Sequence, residues 1–394
     1  MGIIGDNDAY ILNTYKRYPL VFIRGNGVYL FSDDGYRYLD MAAGIAVSSL
    51  GHFHPKVYQA IEYQAKRLIH TSNLYYTWPY TELAVKLINK SIFNKVFFCN
   101  SGAEANEAVI KLSRKHGKNT GGNDKYKIIV MKNSFHGRTM GTLSATGQPD
   151  KQKGFEPLLE GFKFIEFNNK KDLENNIDNN TAAVMLEVLQ GEGGIHLADK
   201  GFIKDARKLC DKYNALLIYD EVQTGIGRTG KLFGYEHYLP VQPDAITLAK
   251  GLAGGMPIGA MLVKEKYADL LKPGEHASTF GGNAVCCACA NAVLDAIDEE
   301  RLLENAEKMG NYLFKNLNDI RRKYKTVKDV RGIGLIYGME LTFDANELIN
   351  KLIDNFVLTV PAGKNVIRFT PPLIIQKDHI DELIIALNKV LKDF

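Results

Sequence analysis

Three apolar runs in this 394-residue chain end on side chains able to do chemistry. Ala183-Val184-Met185-Leu186 runs into Glu187, Leu216-Leu217-Ile218-Tyr219 into Asp220 and Glu221, and Ala245-Ile246-Thr247-Leu248-Ala249 into Lys250. Successive members lie roughly thirty residues apart, close to βαβ spacing at the first step. In open α/β sheets ligands sit outside the carboxyl ends of the strands, so two acids, Glu187 and Asp220, and Lys250 are placed to meet in one crevice. Any one of them alone reads as a solvated charge at a strand end. Three after such runs read as a site.

A lysine before Gly-Leu-Ala-Gly-Gly has two uses. It pairs with a carboxylate, or, partly desolvated, it gives up its proton and attacks an aldehyde to form an imine. An acid facing the same crevice suits a cofactor with a pyridine nitrogen, which Asp220 would keep protonated. At ~4 Å and an effective dielectric of about 20, such a pair is worth on the order of 4 kcal/mol. Imine and protonated ring together point to pyridoxal 5'-phosphate, whose ring is an electron sink. Its phosphate needs a cradle. Ser101-Gly102-Ala103 lies between a strand and a helix start, where free N–H groups and the helix dipole attract an anion, although Ser101 also reads as an ordinary N-cap. Ser278-Thr279-Phe280-Gly281-Gly282-Asn283 is a second candidate phosphate loop. Phe135, beside Arg138, offers a ring for stacking, or is simply core.

Other motifs carry less. Gly225-Ile226-Gly227-Arg228-Thr229-Gly230 fits G-x-G-x-x-G with Asp244 downstream, and with Lys231 it nearly spells the P-loop of a nucleotide-binding ATPase. Position 232 is Leu rather than Ser or Thr, and the following Leu232–Tyr238 does not open as a helix, so a glycine-rich loop is expected. His52 and His54 lack a third metal ligand and read as loop residues. Cys286, Cys287 and Cys289 do not have zinc spacing and read as small buried residues on a helix starting near Asn283. No metal site is expected.

The elements that must position these groups follow from periodicity. Val28–Asp40 alternates around Asp34-Gly35, a β-hairpin. Strand-like runs at 95–99, 127–131, 162–167, 183–186, 215–219 and 245–248 alternate with helical stretches, the first at 104–115. This predicts an α/β fold with a mostly parallel central sheet covered on both faces. Beyond residue 290 the texture changes to a polar-rich helical region over 293–324. Strands around 334–341 and 366–370 follow, then a helix with Ile380, Leu383, Ile384, Leu387 and Leu391 on one face and Asp378 as N-cap. The expected organisation is an N-terminal segment (1–50) joining a smaller α/β domain (291–394), with a large cofactor-binding domain (51–290) between them.

Lys plus Arg number 49 against 45 Asp plus Glu, a formal charge of +4, which argues against coating nucleic acid or an anionic membrane. The five cysteines imply no disulfide framework. The apolar stretch 248–263 carries Lys250, four glycines and a proline, so no membrane span is expected. With no secretory pattern at the start of the chain, cytoplasmic localisation is the expectation.

Taken together, Leu217-Ile218-Tyr219-Asp220-Glu221-Val222-Gln223-Thr224-Gly225 and Leu248-Ala249-Lys250-Gly251-Leu252 resemble the class III (ω-amino-acid) aminotransferases of PLP fold type I. Supporting runs are 70–76 (HTSNLYY), 98–115, 134–148, 190–195 (QGEGGI) and 276–283 (HASTFGGN), so the resemblance covers nearly the whole chain. It implies Lys250 as Schiff-base lysine and proton carrier, and Asp220 on the pyridinium nitrogen. Gln223 falls on the ring-hydroxyl side, Gly102 and Ala103 beside Ser101 at the phosphate, Phe135 on the ring, and Glu187 among the cofactor contacts. It implies that Thr279 reaches the phosphate of the neighbouring subunit's cofactor, hence a homodimer with shared active sites. Arg138 and Ser278 fall at substrate-binding positions, Arg368 at the α-carboxylate of the oxo acid, and Glu192 where it can pair with that arginine and release it. The activity implied is ping-pong transfer of the ω-amino group of N2-acetyl-L-ornithine to 2-oxoglutarate, giving N-acetyl-L-glutamate 5-semialdehyde and L-glutamate, a step of arginine biosynthesis. Ornithine, succinylornithine, lysine and 4-aminobutyrate are alternative donors, because Trp78 and Tyr80 are bulky for a segment expected by the substrate entrance.

Overall fold

The computed structural model describes residues 2–394. Near the N-terminus, β1 (Phe22–Asn26), β2 (Tyr29–Ser32) and β3 (Arg37–Asp40) form an antiparallel meander. The β2–β3 turn places Gly35 at φ +90°, a conformation that glycine adopts without steric cost.

The chain then lays down β4 (Lys95–Cys99), β5 (Lys127–Met131), β6 (Phe162–Ile165) and β7 (Thr181–Leu186), a small hairpin β8 (Leu189–Gln190) and β9 (His196–Leu197), then β10 (Leu216–Asp220), β11 (Ala245–Leu248) and β12 (Gly259–Val263). Seven of these make the central sheet in the order β4-β12-β11-β10-β7-β5-β6. β11, β10, β7, β5 and β6 are mutually parallel, and β12 alone runs against its neighbours. Successive side chains point to opposite faces. Ile128, Val130, Ala183, Met185, Leu216 and Ile218 therefore pack under the helix Gly102–Gly121. Ile129, Met131, Val184, Leu186, Leu217 and Tyr219 pack with Phe202, Ile203, Ala206 and Cys210 of the helix Lys200–Tyr213. Burial on both faces accounts for the unbroken apolar runs of these strands.

The polar-rich helical region is two helices, Ala284–Glu299 and Leu302–Lys323, and not one. Arg301 between them sits at φ +54°, which no continuing right-handed helix accommodates. Asn283 caps the first by accepting from Val285 N (3.0 Å) and Cys286 N (3.3 Å), and Cys286, Cys287 and Cys289 are buried along it. The last strands, β13 (Val327–Ile333), β14 (Ile336–Leu341), β15 (Val357–Leu358), β16 (Val360–Pro361) and β17 (Val366–Phe369), divide between two sheets. β13-β14-β17-β16 is one sheet, and β15 pairs in parallel with β3, so the N-terminal meander is completed by a C-terminal strand. The last helix, Lys377–Val390, is capped by Gln376, not Asp378. The extended residue is Gln376, its N–H is taken by His379 Nδ1 (3.0 Å), and Asp378 falls in the first turn where its charge faces the helix dipole.

The glycine-rich run 225–230 is a loop, followed only by a short 3-10 turn, Gly234–Tyr238. Its Arg228 is buried and donates to the carbonyls of Leu335 (2.9 Å) and Pro371, tying the loop to the C-terminal sheet. Asp244 accepts from Leu217 N (2.8 Å) and pairs with Arg207 (2.7 Å), so it is spent on packing rather than on a ribose. His52 and His54 are likewise tied within the fold, to Asp40 (2.8 Å) and Glu300 (3.1 Å). Among the described residues no helix is long and apolar enough to cross a membrane.

Candidate active site

The carboxyl ends of β7, β10 and β11 open on one cleft of about 420 Å³. Glu187, Asp220 and Lys250 line it together with Ser101, Gly102, Ala103, Phe135, Arg138 and Gln223. Glu221, the second acid after β10, does not. Alternation along the strand turns it to the opposite face, where it accepts from Gly234 N and from Tyr235 N (2.8 Å), and burial pushes its carboxyl up to about 8.

Asp220 is held from three sides. Its Oδ2 accepts from Asn106 Nδ2 (2.7 Å) and lies 2.8 Å from His136 Nδ1, while Oδ1 accepts from Val222 N (3.0 Å). Asn106 is itself oriented by Thr247, whose hydroxyl donates to its Oδ1 (2.7 Å), and it donates to the His136 carbonyl (2.7 Å). Burial alone would lower the His136 imidazole, but the hydrogen bond and charge of Asp220 overturn that and raise it. Asn106 and His136 are the residues that motif reading passed over. The signal for His136 was its place beside Phe135, and for Asn106 an amide among small residues on the sheet-facing side of a helix.

Lys250 sits one residue beyond Ala249 at φ +42°, partly buried and lining the cleft. Its ammonium is pulled below the ordinary lysine range, first by burial and then by Arg368, with Glu192, Asp220 and Glu187 opposing. An amine that sheds its proton easily is one able to act as a nucleophile. Glu187 accepts from Phe135 N (3.0 Å) and Gly191 N (3.2 Å), and burial pushes its carboxyl up. It thereby fixes Phe135, which is half-buried at the cleft wall rather than in the core.

Ser101 is the N-cap of the helix Gly102–Gly121: its Oγ accepts from Glu104 N (3.1 Å), and Glu104 Oε2 accepts from Asn100 N (2.6 Å). Gly102 and Ala103 line the cleft, and as the first residues of the helix their N–H groups have no partner within it, which makes this end a candidate anion cradle. A Cβ on Gly102 would stand 2.7 Å from Val222 Cγ1, so glycine lets the helix start approach the end of β10.

Arg368, on β17, is 1% exposed. Its guanidinium reaches Gln223 Oε1, the Gly191 carbonyl and Glu192 Oε1, each at 2.9 Å. Burial would raise Glu192, but Arg368, Lys250 and Lys151 together hold it low. Gln223 thus anchors an arginine as well as lining the cleft. Arg138 is exposed at the mouth, 5.8 Å from the Phe135 ring centre.

Ser278 and Thr279 are not brought to this cleft. Ser278 Oγ accepts from Asn100 Nδ2 (3.0 Å) and Gly281 N (3.1 Å). Thr279 is exposed and lines a separate cavity of about 160 Å³ with residues 70–73 and 75–77, Tyr80 and Gly282. Tyr80 packs edge-on against Phe98 (5.0 Å), and Trp78 is exposed next to that second cavity, so neither narrows the cleft of its own chain.

The family described as aminotransferase class-III matches residues 10–391. The chain is 50% identical over 385 residues to an acetylornithine aminotransferase of Caldanaerobacter subterraneus subsp. tengcongensis, covering 98% of each. It is 48% identical over 384 residues to one of Methanocaldococcus jannaschii, covering 98% of this chain and 96% of that one. The ornithine aminotransferase of Toxoplasma gondii superposes with a TM-score of 0.95 at 33% identity over 99% of this chain and 95% of that structure. An acetylornithine aminotransferase from Elizabethkingia anophelis superposes at 0.89 with 34% identity, covering 99% and 98%.

Proposed function

The chain belongs to the class-III aminotransferases, and on that premise we propose that it carries the ω-amino group of N2-acetyl-L-ornithine to 2-oxoglutarate, with pyridoxal 5'-phosphate as cofactor. The observation that carries this reading is the Glu192–Arg368 pair beside Lys250. An arginine that a carboxylate can mask or free lets one cleft take a carbon bearing no carboxylate, then an oxo acid bearing one.

The residues fit the cofactor. The Gly102 and Ala103 N–H groups behind the Ser101 cap suit a phosphate, Phe135 a ring face, and the braced Asp220 a ring nitrogen. When bound, pyridoxal phosphate supplies an aldehyde and a protonated ring that accepts the electron pair of the reacting carbon. Lys250 Nζ would hold the cofactor between turnovers and would carry the proton that leaves the amine-bearing carbon. General acid–base help of this kind is worth about 10²–10⁴-fold. With Glu192 on Arg368, the amine half-reaction proceeds and N-acetyl-L-glutamate 5-semialdehyde leaves. With Arg368 free, its planar fork grips the α-carboxylate of 2-oxoglutarate, and L-glutamate is released. Arg138 at the mouth takes the carboxylate of the substrate tail.

Thr279, which lines a separate cavity of its own chain, suits the site of a partner subunit, in keeping with a homodimer that shares its active sites, while Ser278 stands behind Asn100 at the edge of the cleft. The protein acts on small molecules in the cytoplasm. A second reading, ornithine as donor, has the likeness to the Toxoplasma gondii enzyme in its favour. A half-reaction panel separates them: N-acetylornithine should bleach the aldehyde chromophore faster than ornithine, succinylornithine, lysine or 4-aminobutyrate, and a faster rate with ornithine would replace the first reading. Glu192→Ala, by unmasking Arg368, should slow the ω-amine half-reaction by about 10-fold or more, the worth of one charged contact. The glutamate half-reaction should change far less, and equal losses in both would remove the case for the pair as a gate.

A further inference from the structure

The two-substrate cycle leaves one charge unaccounted for. When Arg368 passes to an oxo acid, Glu192 loses its partner. Its side chain is only 23% exposed, and a carboxylate so placed is costly to leave unpaired. Some other cation must receive it or the exchange is unfavourable.

Three cations act on Glu192: Arg368, Lys250 and Lys151. Lys250 is committed to the proton. Lys151 lies on the short helix Pro149–Gln152 and lines, together with Glu192, a cavity of about 810 Å³ on the outer side of the pair. That space is free for a carboxylate to swing into. Lys151 is half-buried, yet among the described residues it makes no ion pair, and its Nζ rests 4.9 Å from the centre of the Phe135 ring. The turn that carries it is pinned, because Gln152 Nε2 donates to the carbonyls of Leu143 (3.0 Å) and Thr146 (2.8 Å). We propose that Lys151 is a positioning residue that receives the Glu192 carboxylate when Arg368 is given to an oxo acid, so that Glu192 exchanges one cation for another within the same cavity. This rests on the two-substrate reading above. Burial lowers the Lys151 ammonium, Glu192 raises it, and Arg138 and Arg368 lower it, so an incoming carboxylate relieves the repulsion among three positive groups. A lysine that read the substrate tail directly is the competing role, and it leaves a different signature.

The experiment is a double-mutant cycle on the holoenzyme, read by calorimetric binding of glutarate, an unreactive dicarboxylate, and by the two half-reactions followed separately. Lys151→Met should weaken glutarate by about 10-fold, equivalent to about 1.4 kcal/mol. It should raise the KM for 2-oxoglutarate to match and leave the ω-amine half-reaction within about twofold. In a Glu192→Gln background, Lys151→Met should have no further effect, and Lys151→Arg should restore binding in the parent. Weakening that persists in Glu192→Gln would show Lys151 on the substrate itself and overturn the exchange. So would equal losses in both half-reactions, or none in either. Absence of any spectral response of the unsubstituted holoenzyme to glutamate overturns the transamination reading and the exchange with it. A normal response that Lys151→Met leaves untouched overturns the exchange alone.

Discussion

Lys250→Ala should lower kcat by about 10⁴-fold or more while leaving the protein folded. Two roles vanish together: the amine that holds the cofactor and the base that moves the proton, and the second alone spans about 10²–10⁴-fold. The backbone at 250 is at φ +42°, where Ala and Lys are equally strained, so the substitution adds no new conformational penalty. It also removes a cation that Arg368 repels, which spares the fold. Circular dichroism and Tm should therefore move little. Borohydride treatment of the parent should fix the cofactor on a peptide containing Lys250, and the variant should take up none. A label on another peptide, or a variant retaining more than a hundredth of the activity, would sink the assignment.

How much of this could be read from the chain alone follows from the geometry of strands. A parallel strand buried on both faces must be apolar along its length, so the first polar residue after it marks the edge where ligands bind. That is why Glu187, Asp220 and Lys250 stood out together. The same logic needs one more step to separate Asp220 from Glu221. Ile218 packs under the helix Gly102–Gly121, so Asp220, two residues on, shares that face with Asn106, while Glu221 follows Leu217 and Tyr219 to the other. Composition does not reveal which parity faces the helix; only the packed sheet does.

Other features have no local signature. The break at Arg301 rests on one residue's φ in a continuous helical pattern, and the Gln376 cap on a hydrogen bond to His379 that no Asx rule anticipates. Asn106 reads as an ordinary helix polar residue until Thr247, on a strand far along the chain, is placed beside it. Thr279 lines a cavity apart from the cleft, a placement that the residue types of its loop do not encode. Ser101 was legible both as cap and as cradle: its side chain is the cap, and Gly102 and Ala103 just after it line the cleft.

Asp220→Asn carries the second large expected effect, a fall in kcat of about 10³-fold. An opposed charge pair at an effective dielectric of about 20 is worth on the order of 4 kcal/mol, which is about three decades in rate. The asparagine keeps the shape and loses the charge that would hold a proton on the cofactor's ring. It also turns an amide N–H₂ toward Asn106 Nδ2 or Val222 N, donor against donor, so a modest loss of stability comes with it. Asp220→Ala is the poorer test. It strands the buried His136, whose raised imidazole depends on Asp220, and breaking such a pair costs about 3–5 kcal/mol of fold. His136→Asn, by contrast, removes a brace and not the charge, and should cost only about 10-fold, the worth of one charge-assisted hydrogen bond. The ordering Asp220→Asn far below His136→Asn, at similar Tm, is what separates charge from positioning. If the two variants lose kcat equally, Asp220 acts only through the geometry of its hydrogen bonds, and the electrostatic role assigned to it falls.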